Sequence, residues 1–197
     1  MAVRVNREDK NGLFFITFTC TRWLALFELT NSYDLIYKWF AVLLKNKHQI
    51  IAFVIMPNHV HVIINFRENE KQIHTWISNG KRFMAYEIVA RLKAQNQQSV
   101  LQVLSSDVNK TDLKKGKLHQ VFHDSFDAKK ILTIDFLLQK LNYLHLNPVS
   151  KKWNLVKHFT DYEHSSAACY ETMNFDKPFL THYKDVETLS LVSMRTI

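Results

Sequence analysis

Hydrophobic and polar positions alternate along residues 13–20 (LFFITFTC), with Phe14, Ile16 and Phe18 on one side and Phe15, Thr17 and Thr19 on the other. That period of two predicts a half-buried strand. Asn31 and Asp34 are spaced as a capping pair, and Leu35, Ile36, Trp39, Phe40, Leu43 and Leu44 follow at helical intervals, so a first helix is expected to end near residues 45–47. Residues 50–56 (IIAFVIM) are a continuous apolar run with β-branched content, too short for a typical helix, and predict a central strand covered on both faces. Pro57-Asn58 turns the chain. In residues 59–66 (HVHVIINF) the alternation returns, with Val60, Val62 and Ile64 on one face and His59, His61 and Ile63 on the other.

A second helix is expected over about 70–93, striped by Ile73, Trp76, Ile77, Phe83, Met84, Ile88 and Leu92, with Gly80 weakening its middle. Residues 94–112 are rich in Gln, Asn and Ser and predict a loop; residues 118–126 are the place for a further strand. A third helix is expected from near Asp127 to about Asn147, where Pro148 discourages continuation. Strand, helix, strand, strand, helix, strand, helix is the order of an α+β antiparallel sandwich of the ferredoxin-like or RRM-like kind. In that arrangement helices lie on one face, the other face is free for a ligand, and the histidines stand on a central strand. A single domain over 1–197 is expected, with a core of about 13–150 and an aromatic, irregular extension over about 151–197.

Composition narrows the partners. Of 197 residues, 26 are Lys or Arg and 18 are Asp or Glu, a formal charge of +8 that suits a polyanion. Cys20 and Cys169 are the two cysteines and form no CxxC, which argues against a disulfide framework or a cysteine zinc site. The polar first dozen residues and the lack of any long apolar run argue against secretion and membrane spanning, so a cytoplasmic protein is expected.

Two constellations carry chemistry. His59 and His61, two apart on a strand, project to the same side and can reach one metal ion while Val60 is buried behind them. A bare pair of this kind is more often just two partly exposed strand histidines, and its setting in an apolar hairpin of a basic protein shifts the balance. On the third helix, Ile134, Leu137, Leu138, Leu141, Leu144 and His145 fall within one apolar arc, whereas Tyr143 falls opposite it, flanked by Gln139 and Asn147. A phenol not needed for packing is available for reaction. His145 reads as a core residue, and His119 and His123 as surface residues able to touch DNA. Lys81, Arg82, Arg91, Lys114, Lys115 and Lys117 are the candidates for phosphate contacts. Trp23 and Trp153 are candidates for base stacking, and Trp76 for core packing.

The segments Met56-Pro57-Asn58-His59-Val60-His61 and Tyr143-Leu144-His145-Leu146-Asn147-Pro148-Val149 resemble the two signatures of the HUH single-tyrosine transposases, the REP-associated branch in particular. The likeness extends from about Phe14 to Tyr170, through Lys81-Arg82-Phe83 and the YEHSS of residues 162–166. It departs after Asn147-Pro148-Val149, where relatives usually place a glycine and this chain has Ser150-Lys151-Lys152-Trp153, and at Asn147, where relatives can use Gln as a metal ligand. The resemblance implies that Tyr143 cuts and rejoins hairpin-containing single-stranded DNA through a 5′-phosphotyrosine. It implies Mg²⁺ or Mn²⁺ on His59, His61 and Asn147, and a homodimer working at a bacterial-type nucleoid. A single-strand binder that no longer cuts, and a metal-dependent hydrolase that uses water, are the competing functions.

Overall fold

The computed structural model describes residues 3–4, 10–68, 71–175 and 177–186. Among these residues a five-stranded antiparallel sheet runs in the order β1-β5-β2-β4-β3, built from β1 (Val3–Arg4), β2 (Gly12–Thr19), β3 (Gln49–Met56), β4 (His59–Phe66) and β5 (Asp127–Lys130). Leaving β1 aside, that is the strand order of the expected ferredoxin-like α+β sandwich. The alternation in β2 and β4 does what its period dictates. Phe14, Ile16, Phe18, Val60, Val62 and Ile64 enter one core, and Leu13, Phe15 and Ile63 enter another on the opposite face. In β3 both faces are covered, Ile50, Phe53 and Ile55 by the first core and Val54 and Met56 by the second, which explains the unbroken apolar run; a register shift between Ile50 and Ala52 turns both Ile51 and Ala52 toward the second face.

Behind the short α1 (Leu26–Leu29), helices α2 (Asp34–Lys45) and α3 (Ile73–Ala94) pack on the first face as expected, except that Phe83 of the expected stripe is exposed. Gly80 is where they meet: a Cβ built there would lie 2.5 Å from Trp39 Nε1, so the glycine trades helix propensity for close approach. The second face is not left open along its length. Leu137 and Leu144 of α6 (Ile134–Leu146) cover it, with Trp153, Tyr162, Tyr170 and Val186 of the following segment.

That following segment also protects the outer side of β3, which would otherwise present unpaired backbone groups. Ile55 N donates to His164 O (2.8 Å), Ser166 N to Phe53 O (2.9 Å) and Thr181 N to Ile50 O (2.8 Å). The phenols of Tyr162 and Tyr170 donate to Ile55 O and Ile51 O at 2.8 and 2.9 Å.

Besides the covered second face, four expectations are corrected. The last strand is Asp127–Lys130, not within 118–126, and it is a polar piece in which only Ala128 is buried. The third helix accordingly starts at Ile134, behind a Thr133 side chain that accepts from Phe136 N. Residues 94–112 hold α4 (Gln98–Ser106) and most of α5 (Lys110–Lys114); Leu101 and Leu104 are buried in the first core and give α4 a reason to fold. Asn31 does not cap α2: it takes a positive φ of 45° and Asp34 instead pairs with Lys38 and Arg91.

Candidate active site

β4 lies between β2 and β3, and its two histidines face the second core. Register places Thr17 opposite His61 and Thr19 opposite His59. Both imidazoles are almost fully covered, at 4% and 5% exposure, because Phe15, Trp23, Trp153 and Tyr143 close around them. The two rings stand 4.7 Å apart and nearly perpendicular.

Hydrogen bonds orient each ring. The Asn58 carboxamide donates through Nδ2 to Trp23 O at 2.8 Å, which leaves its Oδ1 to face His59 Nδ1 at 2.7 Å. Nδ1 must then carry the proton, so the Nε2 lone pair of His59 is the one available to a ligand. His61 Nδ1 lies 2.7 Å from Thr17 Oγ1, and its Nε2 is buried with no partner among the described residues. Burial lowers both pKa values. His59 falls to about 4 with help from Lys152, and His61 to about 3 with help from His59 and Lys140. Both rings are therefore neutral near pH 7, the form in which imidazole binds metal.

Tyr143 projects from α6 over this pair. Its ring is 5.2 Å from that of His61 and 6.0 Å from that of Phe15, in edge-to-face contacts, yet the residue is 49% exposed. Lys140, one turn earlier, holds its ammonium 5.5 Å from the Tyr143 ring centroid and 5.2 Å from that of Phe15. Asn147, one turn later, is nearly buried; its carbonyl accepts from Ser150, whose own carbonyl accepts from Trp153, the residue whose ring lies tilted beside His59. A single chain thus brings His59, His61 and Tyr143 together and leaves Asn147 on the adjoining turn. Among the described residues no group of three or more His, Cys, Asp or Glu converges, so a metal here would rest on two imidazoles and a neutral oxygen donor. The partnerless Nε2 of His61 fits such an ion.

The other candidates separate clearly. Lys81 is buried on α3 and donates to the carbonyls of His123, Asp124 and Ser125, while Arg91 ties α3 to Asp34 and to Asn31 O. Lys117 bridges Asp112 and Asp124. These three are occupied within the chain, and α3 lies across the sheet from the histidines. Arg82 on α3, and Lys114 and Lys115 at the end of α5, are exposed. His145 is a core residue, bonded through Nε2 to Ser166 Oγ at 2.9 Å, and Trp76 is buried in the first core. Tyr162 and Tyr170 spend their hydroxyls on β3 carbonyls, and burial raises both pKa values, which leaves Tyr143 as the exposed phenol beside the histidines. Sequence reasoning passed over Thr17, Asn58, Lys140 and Lys152. Thr17 had a signal in its strand parity, and Lys140 in its spacing of three from Tyr143.

No family model and no curated protein sequence matches the chain. Among solved structures, a REP-associated tyrosine transposase bound to a REP hairpin shares its fold, with a TM-score of 0.56 and 18% sequence identity over 84% of this chain and 82% of that one. No helix among the described residues is long and apolar enough to cross a membrane.

Proposed function

We propose that the chain is an HUH-type single-tyrosine transposase that cleaves and rejoins hairpin-containing single-stranded DNA with Tyr143 as nucleophile. The observation that carries this is the half-exposed Tyr143 phenol packed against His61, whose buried Nε2 has no partner among the described residues. The fold shared with a hairpin-bound transposase supports the choice of substrate.

The reaction is an in-line transfer. The Tyr143 oxygen attacks phosphorus, the bond to the 3′-oxygen breaks, the phenol loses its proton and the departing oxygen gains one. A 5′-phosphotyrosine and a free 3′-hydroxyl result, and attack by a 3′-hydroxyl in the reverse sense reseals the strand without ATP. The Lys140 ammonium, 5.5 Å from the Tyr143 ring centroid, is placed to meet a phosphate of the bound strand. Asn58 and Thr17 hold the imidazoles, while Phe15 and Trp153 keep water from them. Mg²⁺ or Mn²⁺ held by His59, His61 and the Asn147 carboxamide oxygen would polarise a non-bridging phosphate oxygen. The protein would act as a homodimer on two DNA ends, and because Tyr143 reaches its own His61, such a dimer would hold two self-contained sites.

The test is a 3′-labelled hairpin oligonucleotide incubated with the protein and Mn²⁺. A denaturant-resistant protein-DNA adduct that maps to Tyr143 is expected. Binding without an adduct would leave a single-strand binder, and turnover without an adduct would indicate hydrolysis by water.

A further inference from the structure

Beside the histidines stands an aromatic pair, of which the cleavage step uses only Trp153, and that only to exclude water. Trp23 is 53% exposed, its ring 5.8 Å from that of His59; the ring of Trp153 lies 5.5 Å from the same imidazole. Lys152 reaches over both, its ammonium 4.5 Å from the Trp23 centroid and 5.5 Å from that of Trp153.

An exposed tryptophan needs a reason, and this one is held out at some expense. Arg22 and Trp23 both take left-handed backbone, with φ of 49° and 57°, a conformation costly for bulky side chains. The surroundings impose it. Arg22 pairs with Asp107 through its guanidinium, with two bonds of 2.9 Å from Nε, and Thr21 Oγ1 donates to the same carboxylate at 3.0 Å. Thr21 N is tied to Val121 O at 2.8 Å. On the other flank Asn58 donates to Trp23 O, so the residue that fixes the His59 tautomer also fixes the Trp23 backbone. Strained backbone that is over-determined from several sides is a mark of a working position.

We propose that Trp23, Trp153 and Lys152 form a subsite for one unpaired nucleotide of the strand entering the site, its base stacked on Trp23 and its phosphate on Lys152. An aromatic face with an adjacent cation is the combination that binds single-stranded nucleic acid without reading its sequence. The subsite borders His59, so the nucleotide it holds flanks the scissile phosphate. This inference rests on single-stranded DNA being the substrate.

The experiment places one abasic residue at successive unpaired positions of a hairpin oligonucleotide and measures affinity. The wild type is compared with Trp23→Asn, which tolerates left-handed backbone, with Trp23→Phe, and with Lys152→Gln. One abasic position is expected to weaken wild-type binding about tenfold, the loss of one stacked base. Trp23→Asn should show that loss on the intact strand and ignore the abasic change at that position, while Trp23→Phe keeps most of the affinity. Lys152→Gln should shallow the salt dependence by about 0.7 in log-log slope, the release of one counterion from a single strand. If no position couples to Trp23, the subsite is overturned, even when a Tyr143 adduct forms and upholds the cleavage reading. Coupling without an adduct upholds the subsite and overturns the cleavage reading. Failure of the wild type to bind any such strand overturns both.

Discussion

Replacing Thr17 with Val tests whether the sheet itself prepares His61 for a metal. Thr17 stands directly opposite His61 in the β2–β4 register, and its hydroxyl lies 2.7 Å from Nδ1. When that hydroxyl accepts the Nδ1 proton, the Nε2 lone pair is presented to the site; when the hydroxyl is gone, the ring loses the one bond that selects its tautomer. Valine keeps the shape and leaves Nδ1 beside a methyl group. His61 is 5% exposed, so water does not readily replace the lost partner. Two costs follow. An orphaned buried donor costs about 1–3 kcal/mol of stability. Loss of the group that orients a metal-binding histidine typically lowers metal affinity by about 10- to 100-fold.

The assay pairs Mn²⁺ titration by calorimetry with thermal unfolding in chelator, on wild type, Thr17→Val and Thr17→Ser. Serine keeps the hydroxyl and should stay close to wild type in both measurements, whereas valine should lose both. Valine that unfolds earlier but binds Mn²⁺ as tightly as wild type would refute the orienting role and leave Thr17 a packing residue. Unchanged Mn²⁺ binding in His61→Ala as well would remove the metal site altogether.

Tyr143→Phe should abolish the covalent adduct while hairpin affinity stays within a few fold, since the hydroxyl acts in the transition state; an adduct from the Phe variant, located by peptide mapping, would move the nucleophile elsewhere. Gly80→Ala, whose new Cβ would meet the Trp39 indole at 2.5 Å, should lower unfolding stability in urea. The overpacking is expected to cost about 1–3 kcal/mol, and a neutral result would mean that α3 shifts freely. In chelator, stability should fall as pH drops from 6.5 toward 4, because His59 and His145 are lowered to about 4 and His61 to about 3 by burial. The unfolded chain takes up those protons first, so stability is full above 6.5 and is lost through this window at about 1.4 kcal/mol per pH unit per histidine; a flat urea midpoint from pH 7 to 5 would contradict the burial. Mixing His61→Ala with Tyr143→Phe should restore no cleavage even in confirmed heterodimers, since each Tyr143 packs on its own His61; restored cleavage would show a shared site.

What the chain declares in its sequence follows from how strongly each element is over-determined. β2, β3 and β4 bury whole faces, so their periods of two and their apolar run are unambiguous, and α2 and α3 are long enough for a helical stripe. β5 has four residues, DAKK, and gains its place from hydrogen bonds to its neighbours, which leaves no hydrophobic signal to read. α4 does carry an apolar stripe, Val100, Leu101, Val103 and Leu104, but it is short and set between Gln-, Asn- and Ser-rich flanks that read as a loop. The histidine pair was legible as polar residues on a strand whose opposite face is apolar, and Tyr143 as a phenol off the helix's apolar arc.

The closure of the site was not legible, because it depends on where α6 lands. Periodicity says that Tyr143 leaves the core face of α6 but not that it meets a second sheet face. The apolar arc itself is only partly used, since Ile134 and Leu138 remain 43% and 42% exposed while Leu137, Leu144 and His145 are buried. The consequence is chemical. Were the second face open, as the α+β order alone suggests, His59 and His61 would be hydrated imidazoles with ordinary affinity for protons. With α6, Trp23 and Trp153 over them, they are held neutral, and Tyr143 enters with the same helix that excludes the water. Position of the phenol and basicity of the histidines are therefore one structural property, set by the docking of α6. A change that lifts α6 from the sheet without touching His59, His61 or Tyr143, such as Leu144→Ala, should weaken both Mn²⁺ binding by calorimetry and formation of the Tyr143 adduct; loss of one with the other intact would refute the coupling.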